Sequence, residues 1–235
     1  MLGSFLEISL QTADILVSLD FYSRLGFECA PVHDVWSHPY TVLTDGRVYL
    51  GLHQYSFPSP SLTFVQPELR RKLPEFEALG IDFAFAKLGD AEFNEAGFYD
   101  PNRQMVTLLE ARTCSPLPQD SAGALCGYFD EYRLPAADLA ASCRFWEDLG
   151  LIRAQADETK ANSIRFSTGG LNLCVCREPP MAGPQLVFSH PAPEQVANLL
   201  AGRGIAGKLA GAGQVRSLEL TSPEGQRLLI CSPDH

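Results

Sequence analysis

Apolar side chains recur at helical spacing near the start of the chain and again near its middle. In residues 13–27, one predicted helical face holds Ile15, Leu19, Tyr22 and Leu25. Residues 137–151 show the same spacing. In both segments an aspartate stands where it can cap a helix, and a glycine stands where a helix ends in a left-handed residue. Each segment therefore predicts one amphipathic helix followed by extended chain.

The two segments are copies of one pattern. Aligned without a gap, their identical pairs include Asp14 and Asp138, Ser18 and Ser142, Phe21 and Phe145, Leu25 and Leu149, and Gly26 and Gly150. A match of this length at constant spacing indicates an internal duplication.

Each half contains a second, weaker unit of the same kind. A strand at 61–65 precedes a helix near 68–79, and a strand at 185–189 precedes a helix at 193–201. Each half closes with a hairpin, and the two turns are supplied by Asp100-Pro101-Asn102 and Pro223-Glu224-Gly225. The predicted order is strand, helix and several strands, four times over, which gives an α+β fold class.

A stretch rich in proline, serine and glycine separates the halves. Residues 113–124 have no periodicity and predict a linker between domains at 1–112 and 125–235. The length of 235 residues and a hydrophobic content of 46% are sufficient for two cores.

This arrangement resembles the vicinal oxygen chelate superfamily of glyoxalases, bleomycin-resistance proteins and extradiol dioxygenases. Members typically carry D-x-x-x-S-x-x-F-Y-x-x-L-G-F after a first strand and end with D-P-x-G-N-x-x-E-L. The matching segments here are Asp14–Phe27 and Asp100–Leu108, then Asp138–Leu151 and Ser222–Ile230. The resemblance covers nearly the whole chain. It implies four βαβββ modules paired into two glyoxalase-like domains, each a curved mixed sheet whose concave face forms a cup for a small molecule.

The resemblance also implies four metal-ligand positions in each cup, held by His, Glu, His or Gln, and Glu. The corresponding residues here are Glu7, Gly51, Ser61 and Thr107, then Glu131, Cys174, Gln185 and Leu229. In the first set only Glu7 is a competent ligand, and the second set would bind metal weakly at best. A shift of two residues keeps the strand face and brings in His53. A catalytic metal normally has three protein ligands, so we expect no cofactor, with a divalent Zn, Ni, Mn or Fe ion as the alternative.

Strand alternation within this arrangement supplies the other candidate residues. The predicted ligand-binding residues are Ser9, Trp36, His38, Tyr40, Tyr49, Gly51, His53, Ser61, Thr63, Thr107, Arg133, Cys174 and Gln185. Glu7 and Glu131 are the catalytic candidates, because a carboxylate in a partly apolar cup can serve as a general base. The alternative for both is a hydrogen-bonded structural carboxylate. The stretch from His33 to Tyr40 equally fits an exposed loop with packed aromatic rings.

Cysteine usage and charge limit the compartment and the partners. The seven cysteines are odd in number and form no C-x-x-C pair, which indicates reduced thiols in the cytoplasm. Cys174 and Cys176 are expected on one strand face, where buried inert thiols are the alternative to a reactive pair. A net charge of −10 without a basic stripe disfavours nucleic acid and anionic membranes. No apolar run is long enough to cross a bilayer, and the N-terminus lacks the pattern of a secretory signal.

The expected function is metal-independent binding of a small aromatic or apolar molecule, as in the drug-sequestering members of the superfamily. The aromatic set Trp36, Tyr40, Tyr49 and Phe64 favours it. The alternative is an enzyme, either a metal-dependent glyoxalase-like lyase or isomerase or a relative of the extradiol dioxygenases. A monomer or a homodimer is expected, because a tandem chain can bury internally the surface that two-module relatives bury by dimerising.

Overall fold

A computed structural model describes residues 1–32, 36–90, 93–111, 123–154, 162–177, 183–212 and 215–233. The first half contains β1 (Ser4–Gln11), α1 (Ile15–Arg24), β2 (Glu28–Ala30), β3 (Tyr40–Thr44), β4 (Tyr49–His53), β5 (Ser61–Val65), α2 (Leu69–Ala78), β6 (Phe83–Lys87), β7 (Glu95–Tyr99) and β8 (Met105–Leu109). The second half contains β9 (Tyr128–Pro135), α3 (Leu139–Asp148), β10 (Ile152–Arg153), β11 (Ser163–Thr168), β12 (Leu171–Cys176), β13 (Gln185–Ser189), α4 (Pro193–Gly202), β14 (Lys208–Ala212), β15 (Val215–Thr221) and β16 (Arg227–Cys231). The predicted linker lies almost wholly outside the described residues, so the domain boundaries stay a prediction.

Each half forms one mixed sheet of eight strands. The strand orders are β2-β3-β4-β1-β5-β8-β7-β6 and β10-β11-β12-β9-β13-β16-β15-β14. In both sheets the first strand of the half pairs parallel with the fourth and antiparallel with the fifth. Two consecutive βαβββ modules therefore pair side by side within each half, which confirms the predicted α+β class and tandem architecture.

The repeated helix motif forms as its sequence predicts. The Asp14 side chain accepts hydrogen bonds from the backbone N–H groups of Leu16 and Val17 at the start of α1. The Asp138 side chain accepts one from Ala141 at the start of α3. The glycines after the two helices have φ of +90° and +92°, a left-handed conformation that glycine adopts without steric cost.

The two halves contact each other through the repeated serine. The Ser18 hydroxyl on α1 donates to Glu224 in the last hairpin of the second half, at 2.9 Å. Reciprocally, the side-chain amide of Asn102 in the last hairpin of the first half donates to Ser142 on α3, at 2.7 Å. Each helix thus holds the hairpin turn of the other half, and the duplication extends to the interface.

The core lies between the helices and one face of each sheet. Phe64 belongs to this core, where it is fully buried and packs edge-on against Phe5 at 5.4 Å. Neighbouring strand residues point to opposite faces, so Thr63 takes the cavity face and Phe64 the helix face. The expectation that Phe64 would belong to an aromatic cup lining is therefore wrong.

Candidate functional site

A cavity of about 600 Å³ occupies the sheet face opposite the helices in the first half. We call it the first-half cavity. The predicted residues that line it are Glu7, Ser9, Trp36, His38, His53, Thr63 and Thr107. They come from four strands and from the segment before β3, so the structure brings together residues that are far apart in the chain.

Glu7 lies in the floor of this cavity with almost no exposed surface. Its Oε1 accepts a hydrogen bond from the Ser9 hydroxyl at 2.7 Å, and its Oε2 accepts one from the Tyr40 hydroxyl at 2.7 Å. Its Oε1 also lies 3.0 Å from Nε2 of His53. A buried carboxylate needs such donors, because burial without them carries a large desolvation cost.

The pairing of β1 with β4 explains how Glu7 fits. Gly51 lies beside Ser9 in the parallel register, and a β-carbon on Gly51 would lie 2.0 Å from Oε1 of Glu7. The space that the glycine leaves is therefore occupied by the Glu7 carboxyl group. Strand alternation gives the correct face for Gly51, but it does not show that a side chain of the protein fills the gap.

A second hydrogen bond extends from His53 to His38. Nδ1 of His53 lies 2.9 Å from Nε2 of His38. The His53 ring is buried among aromatic rings, with Tyr40 at 4.5 Å and Trp36 at 5.1 Å between ring centroids. Glu7, His53 and His38 thus form a chain from the buried carboxylate to an imidazole on the cavity wall, which we call the relay.

The electrostatic surroundings of His38 favour its neutral form. Burial lowers the pKa of His38, the neighbouring His53 lowers it further, and Glu95 opposes both effects. The ring stacks on Tyr55, with 5.0 Å between centroids and 19° between planes. A neutral imidazole has one bare nitrogen and can accept a proton.

Part of the cavity wall comes from the second module and was missed by sequence reasoning. Phe85, Lys87 and Glu95 lie on β6 and β7, and Lys87 Nζ contacts Glu95 Oε1 at 2.5 Å. The ring of Phe85 lies over Gly97, where a β-carbon would be 2.2 Å from its Cε1. The alternation of Phe85 and Lys87 on one strand was a usable signal. The remaining unpredicted lining residues are Ser37, Tyr55, Phe57, Pro58, Phe93, Met105 and Leu109.

Three predicted residues of the first half do not line the first-half cavity themselves. The Ser61 hydroxyl lies 2.7 Å from that of Thr107 and so supports a lining residue. Tyr40 reaches the site through its bond to Glu7, while Tyr49, at the far end of β4, is absent from the cavity lining. Only Tyr40 of the predicted alternating set belongs to a strand, since Trp36 and His38 precede β3. His33 lies outside the described residues.

In the second half, the carboxylate at the position equivalent to Glu7 is paired with arginine side chains. Glu131 is buried and contacts the guanidinium of Arg133 at 2.9 Å and that of Arg165 at 2.6 Å. Burial works against the charge of Arg133, but Glu131 outweighs it and raises the pKa of Arg133. Fixed positive charges therefore compensate Glu131, whereas hydroxyl groups and an imidazole surround Glu7.

The other candidates of the second half are buried beside this ion pair. Cys174 lies opposite Arg133 in one strand pairing, and Gln185 lies opposite it in the other. Burial, together with the negative charge of Glu131, raises the pKa of the Cys174 thiol to about 12. A thiol with such a pKa carries little thiolate near neutral pH, which favours the expectation of an inert cysteine.

The donor set of the first half does not fit the divalent metal ion implied by the resemblance. The hydroxyls of Ser61 and Thr107 bond to each other. His53 turns one nitrogen to Glu7 and the other to His38, so these three side chains form a line and do not converge on one point. Across the described residues, no group of three or more His, Cys, Asp or Glu side chains is arranged to hold a metal ion.

The whole chain is similar in structure to ring-cleaving dioxygenases. A catechol 2,3-dioxygenase is 14% identical with a TM-score of 0.62, and the match covers 99% of this chain and 90% of that chain. A mutant homoprotocatechuate 2,3-dioxygenase from Brevibacterium fuscum is 16% identical with a TM-score of 0.64, over 98% of this chain and 71% of that chain. Neither a family model nor a curated protein matches. At identities this low, the structural similarity establishes a shared fold and nothing further.

Among the described helices, none has the length and apolar character needed to span a membrane.

Proposed function

Because the chain has the vicinal oxygen chelate fold in tandem, we propose that its first half binds a small, partly aromatic molecule without a metal ion. The observation that carries this proposal is the first-half cavity, a space of about 600 Å³ with aromatic walls over a polar floor. This volume lies within the range of small-molecule sites in proteins. The second half, in which Arg133 and Arg165 hold Glu131, is proposed as a structural partner.

The lining suits an aromatic ligand that carries a polar group. Trp36, Phe57, Phe85 and Phe93 offer ring surfaces, and Tyr55 stacks on His38 at the wall. Aromatic rings attract each other beyond simple area burial, by about 0.5–1.5 kcal/mol per well-placed pair. The hydroxyl groups of Ser9, Thr63 and Thr107 line the same cavity and can orient a polar substituent.

A thermal-shift screen of aromatic and antibiotic-like molecules tests the proposal, with a variant that fills the cavity. Thr107→Trp places a large ring on the cavity floor and should abolish the stabilisation by any ligand found. Leu229→Trp is the matched control, because Leu229 pairs with Val187 in the second half as Thr107 pairs with Thr63 in the first. If Thr107→Trp still binds the ligand with unchanged affinity, the ligand site lies elsewhere.

The competing function is that of a metal-dependent enzyme, since the similar solved structures are dioxygenases. The linear arrangement of Glu7, His53 and His38 argues against it, because a metal requires convergent donors. We expect no stoichiometric metal by elemental analysis after the protein is offered Zn, Ni, Mn and Fe and then dialysed. Tight retention of about one ion per chain would overturn the metal-independent proposal, and dioxygenase and lyase assays would follow.

A further inference from the structure

We propose that Glu7, His53 and His38 form a proton relay that ionises an aromatic hydroxyl group bound in the first-half cavity. The inference rests on the proposed function, because it needs a ligand in that cavity. It adds a metal-independent general base, and it names the ligand class as weakly acidic phenols.

Hydrogen-bond polarity fixes the tautomers of the relay. An ionised Glu7 can only accept, so His53 carries its proton on Nε2, which lies 3.0 Å from the carboxylate. Neutral His53 then has a bare Nδ1, and it must accept the proton on Nε2 of His38 across 2.9 Å. Neutral His38 is left with a bare Nδ1. Within the described part of the chain, no hydrogen-bond partner reaches that nitrogen, so it is available to a ligand.

The proton transfer balances without a metal or a redox partner. The phenolic proton moves to Nδ1 of His38, the proton on Nε2 of His38 moves to Nδ1 of His53, and the proton on Nε2 of His53 moves to Oε1 of Glu7. One negative charge is present before and after, first on Glu7 and then on the phenolate. His38 ends with a proton on Nδ1 that it donates to the phenolate oxygen.

The second half shows that burying this carboxylate does not require a relay. Glu131 has the same strand position as Glu7, yet arginine side chains compensate it. In the strand pairing, Cys176 takes the position of His53. A permanent guanidinium keeps its proton, whereas imidazole exchanges one near neutral pH. The first half therefore pairs its buried carboxylate with an imidazole that can exchange a proton, although the same fold can pair that carboxylate with arginine.

The other ionisable groups around the relay act on both of its ends. The Tyr40 hydroxyl donates to Glu7 and stabilises its charge, which opposes the last proton transfer. Glu95 favours a proton on His38, while Lys87 compensates Glu95 across the cavity rim. Tyr55 contacts His38 only through its ring face.

Nitrogen-15 NMR of the ligand-free protein tests the relay directly. At a pH where both rings are neutral, His53 and His38 should show protonated Nε2 and unprotonated Nδ1. A proton on Nδ1 of neutral His38 would remove the base and overturn the inference, and it would leave the proposed ligand binding intact. His190, whose Nδ1 accepts from the backbone N–H of Ala192, serves as an internal reference for the same tautomer.

The probe for the ligand step is 4-nitrophenol, whose ionised form absorbs visible light. With protein in excess, the bound probe should be ionised at least about tenfold more than free probe at the same pH, a shift of about one pKa unit. His38→Gln keeps a donor near His53 but has no basic nitrogen, so it should bind the probe without ionising it. His53→Gln should behave likewise, and His190→Gln in the second half should ionise the probe as the unaltered protein does.

The outcomes separate the relay from the binding site. Binding without ionisation in the unaltered protein overturns the relay and leaves the proposed function standing. Ionisation that persists in His38→Gln assigns the base elsewhere and also overturns the relay. A probe that fails to bind overturns the assignment of phenols as the ligand class, whatever the tautomers are.

Discussion

The carboxyl group of Glu7 fills the space that a side chain at Gly51 would need on the cavity face of the first sheet. A β-carbon at residue 51 would lie 2.0 Å from Oε1 and 2.2 Å from the carboxyl carbon of Glu7. Both residues belong to strands that are hydrogen-bonded in parallel register, so neither backbone can move away without breaking the pairing. The glycine therefore determines where the buried carboxylate points, and through it where His53 is held.

Gly51→Ala should disturb this arrangement. The added methyl group has no free volume and must displace the Glu7 carboxyl group, so we expect a loss of roughly 1–3 kcal/mol in the free energy of unfolding. Urea denaturation measures the loss. The NMR signals of His53 should also shift, because its partner at Nε2 has moved.

Gly202→Ala is the control for this substitution. Gly202 ends α4, and a β-carbon there meets nothing within 4 Å. Alanine is the better helix former by up to about 1 kcal/mol, so the control should be neutral or slightly stabilising. If Gly51→Ala proved as stable as Gly202→Ala, the close approach to Glu7 would be unimportant.

Glu224 should anchor the interface between the halves. It accepts hydrogen bonds from the Tyr22 hydroxyl at 2.5 Å and from the Ser18 hydroxyl at 2.9 Å. Glu224→Ala leaves the fully buried Tyr22 hydroxyl without this partner, which should cost about 1–3 kcal/mol of stability. Thermal unfolding followed by circular dichroism measures the change.

An exposed acidic residue gives the comparison for Glu224→Ala. Asp90 pairs with Arg70 at 3.2 Å, and the Asp90 side chain is 96% exposed. Exposed ion pairs contribute little, so Asp90→Ala should change stability by less than about 1 kcal/mol. Equal effects of the two substitutions would show that the contact between the halves does not contribute to stability.

Stability should fall as the pH rises above about 10. Burial raises the pKa of Tyr22 well above its ordinary value, with Glu224 adding to the effect, and burial does the same for Tyr132. These two hydroxyls stay neutral in the folded chain but ionise once it unfolds. The contribution of these two hydroxyls to the free energy of unfolding is thus complete below the ordinary tyrosine pKa of about 10. It is lost as the pH rises further.

A spectrophotometric titration checks this expectation. Of the seven tyrosines in the chain, Tyr22 and Tyr132 should ionise only with unfolding, which circular dichroism follows in parallel. Tyr22→Phe should remove part of the alkaline loss of stability. Complete ionisation of all seven tyrosines in a chain that is still folded would contradict the predicted burial effect.

The sequence predicted the repeated module well because its signals are local. Asp14 and Gly26 recur as Asp138 and Gly150, and each residue has a capping or turn role that short-range geometry determines. The faces of Glu7, Ser9 and His53 followed from strand alternation once the family resemblance had assigned Glu7 and Gly51 to the cup. Neither inference required knowledge of contacts between distant segments.

The arrangement of the site could not be predicted in the same way. The bond between His38 and His53 joins a segment before β3 to the end of β4, and no period in the sequence determines such a contact. The pairing of Glu131 with Arg165 similarly depends on which strands become neighbours across β12. Phe64 was misassigned because its side chain was judged by its type, whereas its strand parity places it on the helix face.

Glu7 and Glu131 should differ sharply when each is changed to glutamine. Glu131→Gln leaves the guanidinium of Arg133, whose side chain is only 12% exposed, without its counter-charge. Removing one partner of a buried ion pair typically costs about 3 kcal/mol or more. Glu7→Gln leaves no fixed charge behind among the partners described, because the hydroxyls of Ser9 and Tyr40 can reorient towards an amide. We expect a loss of about 1 kcal/mol there.

Urea denaturation of the two variants at neutral pH compares these costs directly. Glu131→Gln should lower the unfolding midpoint more than Glu7→Gln, while only Glu7→Gln should change the tautomer signals of His53. The ranking follows from the chemistry of the partners, since both carboxylates occupy the same strand position and are equally buried, at 1% exposure. A larger loss for Glu7→Gln would mean that the first-half carboxylate is primarily a structural group, with its hydrogen bonds more important for the fold than for a ligand.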